Sequence, residues 1–524
     1  MSSELIQISN VTGKRYWRSL DALAQKPAFR EWVAREFPEG ASEMLDGASR
    51  RNVLKLMAAS FGLAGLTACR RPVEKILPAS KGIENYIPGQ SYFYATAMPF
   101  GGTVSPLLVE THDGRPTKIE GNADHPYSLG AASAFAQASI LNLYDPDRST
   151  TVLENGRDSN WDVFNKFAGE HFAKVGDGDG LRFLSERITS PSLAAVKKHA
   201  MEKWPKAKWV EWEPVNDDSA LEGAKLAFGQ ALTAHPHFDK AKIVLSLESD
   251  FLGLDSSTVL PVKQFSKGRA EVGEAHEAEM NRLYAVEANF SLTGAMADHR
   301  LRLRSSEVQA FAADLARELG ALPAGLNVLG GGTDKRQKFL KAVAKDLKAN
   351  SGACIVVAGR RQPAAVHALA LAINEKLGNF GQTVTFTKAE SEGAGTAALK
   401  TLAGELNGGQ VKTLVILGGN PAFSAPADLR FAEAVKKAAV IVHLGAERDE
   451  TAELATWHLP EAHYLETWSD GRAPDGAVTI QQPMIEPLYG GKSAAEVVAT
   501  LAAYKHQRGF DIVRNNWLDQ WPAA

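Results

Sequence analysis

The sequence predicts an α/β protein built from doubly wound parallel sheets, with a small β-rich domain on its N-terminal side. Three observations carry the prediction. Residues 242–247, 354–359, 414–418 and 440–444 are short runs rich in branched apolar side chains that end in glycine or polar residues, as strands buried on both faces do. Helical stretches such as 363–377 stand between them, as the crossovers of parallel strands require. A chain of 524 residues with 44% hydrophobic content is also too large for one ordinary core, so two or three domains are expected.

Charge narrows the function before any motif is considered. Lysine plus arginine (58) nearly balance aspartate plus glutamate (61), for a net charge of −3, so no long-range field draws nucleic acid or an anionic membrane surface. Only Cys69 and Cys354 are present, without the clustered spacing that holds zinc, haem or an iron–sulfur cluster. Cys354 sits within an apolar run, the setting of an inert buried thiol.

Taken in order, residues 1–48 form an extended segment. Leu20, Leu23 and Ala24, then Phe29, Trp32, Val33 and Phe37, have the three-and-four spacing of short amphipathic helices, broken at Pro27 and Pro38. Residues 49–69 read as an export signal: Arg50 and Arg51 precede a weakly hydrophobic run over 56–68, well short of the roughly 20 residues a membrane span needs. The run closes on Leu66-Thr67-Ala68-Cys69, similar to a lipobox, which makes Cys69 a candidate lipid anchor. Arg70 and Arg71 directly after it oppose translocation.

Residues 70–158 are the β-rich domain. Residues 107–122 alternate, turn at Asp113-Gly114 and alternate again, which predicts a β-hairpin; a turn-rich stretch and the segment Tyr144-Asp145-Pro146-Asp147-Arg148 come next. Residues 159–400 and 401–510 carry the α/β units, and 511–524 are read as the start of a further region. Ligands in doubly wound sheets lie beyond strand C-termini. At such a position stand Gly418, Gly419, Asn420, Pro421 and Ser424, where glycines allow close backbone approach and Asn-Pro forces a turn: either a phosphate or nucleotide loop or a tight strand-to-helix turn. His458 and His463 are five apart with Pro460 between them, which is not the helical i, i+4 spacing of a zinc pair; they are expected to line a loop. Arg300, Arg302 and Arg304 are expected on one face of a solvated strand.

These motifs together carry a resemblance. Residues 16–69 resemble the extended twin-arginine signal of a family whose molybdopterin and iron–sulfur domains are exported folded. The hairpin, the Asp124-His125-Pro126 turn, the Gly418-Gly419-Asn420-Pro421 loop, the loop of Gly378, Asn379 and Gly381, and the stretch 456–472 are similar to molybdopterin oxidoreductases of the formate dehydrogenase and DMSO reductase type. Over nearly the whole chain the pattern resembles the B subunit of alternative complex III, a quinol-oxidising respiratory assembly.

That resemblance implies a molybdopterin-like part with no catalytic residues of its own and no metal site. It implies no cofactor in this chain, with molybdopterin guanine dinucleotide as the alternative and 418–424 and 378–381 as its vestigial or real contacts. The 4Fe-4S and 3Fe-4S clusters are expected in a separate or following domain. Implied partners are membrane-integral quinol-oxidising subunits, multihaem cytochrome c subunits, an iron–sulfur domain or subunit and, during export, the Tat translocase. The place is the periplasmic side of the inner membrane. Two other readings stay open: an active molybdenum oxidoreductase, and an extracytoplasmic protein that binds a small anion in an α/β cleft.

Overall fold

The computed structural model describes residue 27 and residues 87–521, except 88, 257, 271–279, 323–332 and 390–394. The chain divides into two units, Met1–Tyr86 and Ile87–Ala524. The twin arginine Arg50-Arg51, the helices expected before it and Cys69 all lie outside the described residues.

The second unit opens on an antiparallel meander, β1 (Tyr92–Phe100), β2 (Thr103–His112) and β3 (Arg115–Gly121). The expected hairpin is β2–β3, joined through Asp113 and Gly114, both at positive φ. The sequence reading missed β1. Leu107, Val109 and Ile119 pack on the helix Ala134–Leu143 and on Leu465.

Next come β4 (Leu153–Glu154), β5 (Arg157–Asp158), β6 (Leu181–Ser185), β7 (Lys208–Glu211) and β8 (Leu232–Pro236). They are followed by β9 (Ile243–Leu247), β10 (Arg282–Glu287), β11 (His299–Arg302), β12 (Cys354–Ala358) and β13 (Val384–Lys388). The last are β14 (Thr413–Leu417), β15 (Val440–Gly445), β16 (Trp457–Pro460), β17 (Ser469–Arg472) and β18 (Val478–Gln481).

These strands build two main sheets. One is wholly parallel, with order β11-β10-β9-β12. The other has order β5-β4-β16-β15-β14-β6-β7, parallel from β16 to β7. Strands from 153–211 and 413–460 therefore share one sheet, and the four-stranded unit is nested between them in the chain. The runs read as buried parallel strands are β9, β12, β14 and β15, and the helix read at 363–377 is Ala364–Lys376.

Alternation along each strand feeds two cores. Leu245, Val286 and Val356 pack on the helices Ser305–Leu319, Asp334–Ala349 and Ala364–Lys376, while Val244, Leu283 and Ile355 face Phe238, Phe251 and Phe265. In the larger sheet Phe183, Val415, Val442 and Trp457 face Phe164, Trp204 and Val498, and Leu184, Leu414, Ile416 and Ile441 face Leu399, Leu402 and Phe431. No described helix is long and apolar enough to cross a membrane.

Two motifs read separately in the sequence meet in the fold. Arg148 donates to both carboxylate oxygens of Glu466, at 3.0 and 2.6 Å, and to the Leu143 carbonyl. Their side chains are 4% and 0% exposed, so this bidentate pair is held out of water, where each charge depends on the other.

Candidate functional site: the carboxyl edges of two parallel sheets

In the seven-stranded sheet the chain runs outward from β6 to β7 on one side and from β14 through β15 to β16 on the other. The strand order therefore reverses between β6 and β14, and the loops after these strands splay apart into a crevice. Gly418 and Gly419 come directly after β14 at φ +77° and +68°, a left-handed pair that L side chains resist. A Cβ at Gly418 would sit 3.2 Å from Glu186 Oε2, and one at Gly419 3.4 Å from Glu186 Oε1. Glycine is favoured here by the left-handed backbone, and at 418 an added Cβ would also crowd the Glu186 carboxylate.

The rest of the loop closes on itself. Gly418 N donates to the Leu444 carbonyl. Asn420 Oδ1 accepts from Thr451 Oγ1 and from Phe423 N, and its Nδ2 donates to Glu450. Ser424 Oγ donates to the Asn420 carbonyl, and Pro421 is buried.

Three glutamates share the crevice: Glu186 after β6, Glu213 after β7 and Glu461 after β16. Glu186 keeps a solvent-exposed flank, yet burial raises its pKa. Burial first, then the charge of Glu186, pushes Glu213 up to about 7 and Glu461 up to about 8, the latter against the pull of Arg148. Burial, reinforced by the charge of Glu186, therefore favours the protonated forms of Glu213 and Glu461 near neutral pH.

Beneath the glycine turn runs a chain of hydrogen bonds whose proton positions are set by its two ends. His443 Nε2 lies 3.3 Å from the Gly419 carbonyl and must donate, which leaves Nδ1 as an acceptor. His458 Nδ1, 3.2 Å away, donates to it, and His458 Nε2 then accepts from Ser149 Oγ at 2.6 Å. Burial lowers His443 to about 4 and His458 to about 3, so both rings are neutral and all four nitrogens are engaged. His458 is a strand residue paired with His443 across β15 and β16, not the loop residue expected, because the apolar run of β16 extends through Trp457-His458-Leu459. His463 does lie in the following loop. Among the described residues no group of three or more His, Cys, Asp or Glu is placed to hold a metal ion.

The four-stranded sheet has its own reversal, between β9 and β12. Gly359 after β12 is there because a Cβ would strike the Glu248 carbonyl at 1.9 Å. A cavity of about 560 Å³ opens above, lined among others by Arg360, His367, Asp255, Phe238 and Phe251. His367 is 8% exposed with Nε2 unpartnered, and Arg360 Nε makes no hydrogen bond, lying 3.5 Å from Asp217 Oδ1. This edge has side-chain donor and acceptor capacity to spare, whereas the side chains of the Gly418 loop are engaged with Thr451, Glu450 and the loop's own backbone.

The fold does not bring the second glycine loop to either crevice. Gly378 and Gly381 lie just after the helix Ala364–Lys376 at φ +69° and +77°, at the amino edge of the sheet, beside the start of β12. Asn379 is fully buried, donating to Asn374 Oδ1, and its carbonyl accepts the amides of Gln382, Thr383 and Val384. Cys354 is buried against Asn379, and burial pushes its thiol up to about 11. Sequence reasoning missed Glu186, Glu213 and His443: a single polar residue at the end of an apolar strand is their only signal.

No protein-family model matches the chain. It is 24% identical to the "menaquinone reductase, molybdopterin-binding-like subunit" of Nitratidesulfovibrio vulgaris, an alignment covering 80% of this chain and 65% of that relative, so it spans less than two thirds of the relative's length. Among solved structures, acetylene hydratase from Pelobacter acetylenicus superposes with a TM-score of 0.59 at 14% identity, over 78% of this chain and 69% of that one. The fold is the α/β fold of the molybdopterin oxidoreductases, and the chain is molybdopterin-oxidoreductase-like.

At the Gly418 turn the Gly418 amide is spent on Leu444 and the Glu186 carboxylate stands beside both glycines, while the Gly419 and Asn420 amides make no hydrogen bond among the described residues. A phosphate needs amide donors or cations, so the turn sets two amides against one carboxylate.

Proposed function

We propose that this chain is a non-catalytic, molybdopterin-oxidoreductase-like subunit of a membrane-bound respiratory complex of the alternative complex III type, which oxidises quinol. Its role is to scaffold an iron–sulfur domain outside the chain, beside membrane-integral quinol-oxidising subunits and multihaem cytochrome c subunits. The observation that carries the non-catalytic part is the glutamate cluster at the dinucleotide turn. Support for the quinone part comes from the relative whose name places a molybdopterin-binding-like subunit in a menaquinone reductase. Export through the Tat translocase on Arg50-Arg51, a lipid on Cys69 and a periplasmic position belong to the same reading. The 378–381 loop is a helix-ending turn in it, and Asn420 and Ser424 brace a structural relic.

The test is affinity purification of the intact chain from its native membrane, with subunits identified by mass spectrometry and quinol oxidation assayed on the eluate. Co-elution with haem and iron–sulfur subunits and quinol-dependent electron transfer are expected. A chain that elutes alone, or an eluate that only reduces quinone, would overturn the corresponding part. A second reading, binding of a small anion, is favoured by the Arg360–His367 cavity alone; it predicts that inorganic phosphate raises the melting temperature of the purified chain and that Arg360→Gln removes the rise.

A further inference from the structure

In the loops after β9 and β10, which Asp250 ties together, large apolar side chains are exposed. Leu254 is 76%, Phe290 73%, Leu292 61% and Met296 52% exposed. Single exposed apolar residues are ordinary, but a contiguous group marks a contact surface.

The loops are braced, which separates this group from a loose surface turn. Asp250 Oδ1 accepts from Thr293 N and Oγ1, and its Oδ2 accepts from Leu254 N, while Thr293 Oγ1 accepts from Leu252 N. Glu287 accepts from Ser291 Oγ and from Arg300 Nε, both at 2.5 Å, and Arg300 lies 4.8 Å over the Phe290 ring. The carboxylates of Asp250 and Glu287 are thus engaged as struts within the loops.

The water-facing side is apolar at the centre and basic at one flank. Arg302 and Arg304, exposed at the end of β11, make no ion pair among the described residues, and they continue the ridge begun by Arg300. Rigid apolar residues beside arginine are the composition of an interface core and its rim.

We infer that the surface formed by Leu254, Phe290, Leu292, Met296, Arg302 and Arg304 docks a protein partner whose contact face is apolar at its centre and acidic at its rim. Charge complementarity selects that partner: Arg302 and Arg304, without ion pairs among the described residues, favour an acidic face and repel a basic one. The inference rests on the proposed membership of a complex.

The experiment uses the tagged full-length chain purified from its native membrane, in three versions besides wild type. Leu254→Glu/Leu292→Glu puts charge into the apolar centre, Arg302→Glu/Arg304→Glu reverses the rim, and Leu226→Glu adds charge at an equally exposed site (68% exposed) elsewhere. The first two should lower the yield of at least one co-purifying subunit by about tenfold or more, with the melting temperature of the isolated chain unchanged, and Leu226→Glu should behave as wild type. The partner lost must have an acidic contact face, shown by restored yield when one of its carboxylates is changed to lysine against the arginine reversal. If all versions keep every subunit, the docking surface is overturned while the complex stands. If wild type elutes alone, the functional reading falls and this inference with it. If the variants only split a homodimer, the occupant is a second copy and the acidic partner is overturned.

Discussion

At the carboxyl edge of the seven-stranded sheet, Glu186 stands beside a glycine turn whose side chains are already engaged; at the same edge of the four-stranded sheet, Arg360 and His367 face a cavity with polar atoms to spare. Both edges come from the same doubly wound logic, with a strand reversal and a glycine where two loops must pass closely. The difference lies in the residue just past the end of each strand. A glutamate after β6 turns a phosphate-shaped turn into a proton-holding one, while an arginine after β12 keeps the other edge open to an anion. Fold alone thus fixes where a ligand would sit, and one residue per loop decides whether it can.

The largest expected effect tests what holds the acidic edge in place. Glu466→Gln leaves Arg148 charged and unpaired in a dry site and should destabilise the fold by about 3–5 kcal/mol. Glu120→Gln, which removes the exposed partner of Lys118, should leave stability nearly unchanged because solvent screens the pair. Urea denaturation of both variants reads the contrast, and equal losses would mean the buried pair is not the clamp.

The two glycine loops give the next contrast. Gly418→Ala must enter left-handed backbone and press on Glu186, whereas Gly378→Ala enters the same conformation with nothing within 4 Å. The latter should cost roughly 1–2 kcal/mol, and Gly418→Ala clearly more, in the same denaturation assay. Pairing Gly418→Ala with Glu186→Ala should recover the excess.

The pH dependence is smaller and has two signs. Glu213 and Glu461 titrate higher folded than unfolded, so their stabilising contribution is full below about 4.5 and is lost as pH rises through about 7 and 8. His443, His458 and His463 are held neutral, down to about 4, 3 and 4, so they withdraw stability as pH falls below about 6.5. The opposing slopes offset each other between about 4.5 and 6.5, and from 6.5 to 8 only the glutamate slope remains. The melting temperature should therefore fall over pH 6.5–8, and Glu461→Gln should flatten that fall; a flat wild-type profile would mean that the glutamates do not share protons. Smallest of all is the effect of a thiol reagent. Cys354 should resist iodoacetamide at pH 8 in the native protein and react once it is unfolded, as peptide mass mapping would show.

Local chemistry made much of the fold legible in the sequence. Residues 242–247 and 414–418 announce buried strands because both faces are apolar, and Asp113-Gly114 announces a hairpin because the turn needs positive φ. Partnering was not legible: β6, from Leu181–Ser185, joins β14, from Thr413–Leu417, and nothing in Leu181–Ser185 says which strand lies beside it. The glycines at 418 and 419 could be found as a close-approach turn, but what approaches could not, since Glu186 carries no pattern of its own. The 378–381 glycines looked equivalent by spacing and were placed at the opposite edge by the direction of the helix before them. Arg148 and Glu466 each stood out in a motif, while the ion pair between them exists only in three dimensions.

We propose that the Glu186 carboxylate beside the Gly418 turn disfavours an anionic dinucleotide, so that this chain works without one. Molybdenum, tungsten and pterin should be quantified per chain in the protein purified intact with its subunits from its native membrane. The account predicts that all three are absent while the accompanying haem and iron–sulfur signals are strong. A near-stoichiometric content of molybdenum or tungsten with pterin would contradict it and make the turn a cofactor site.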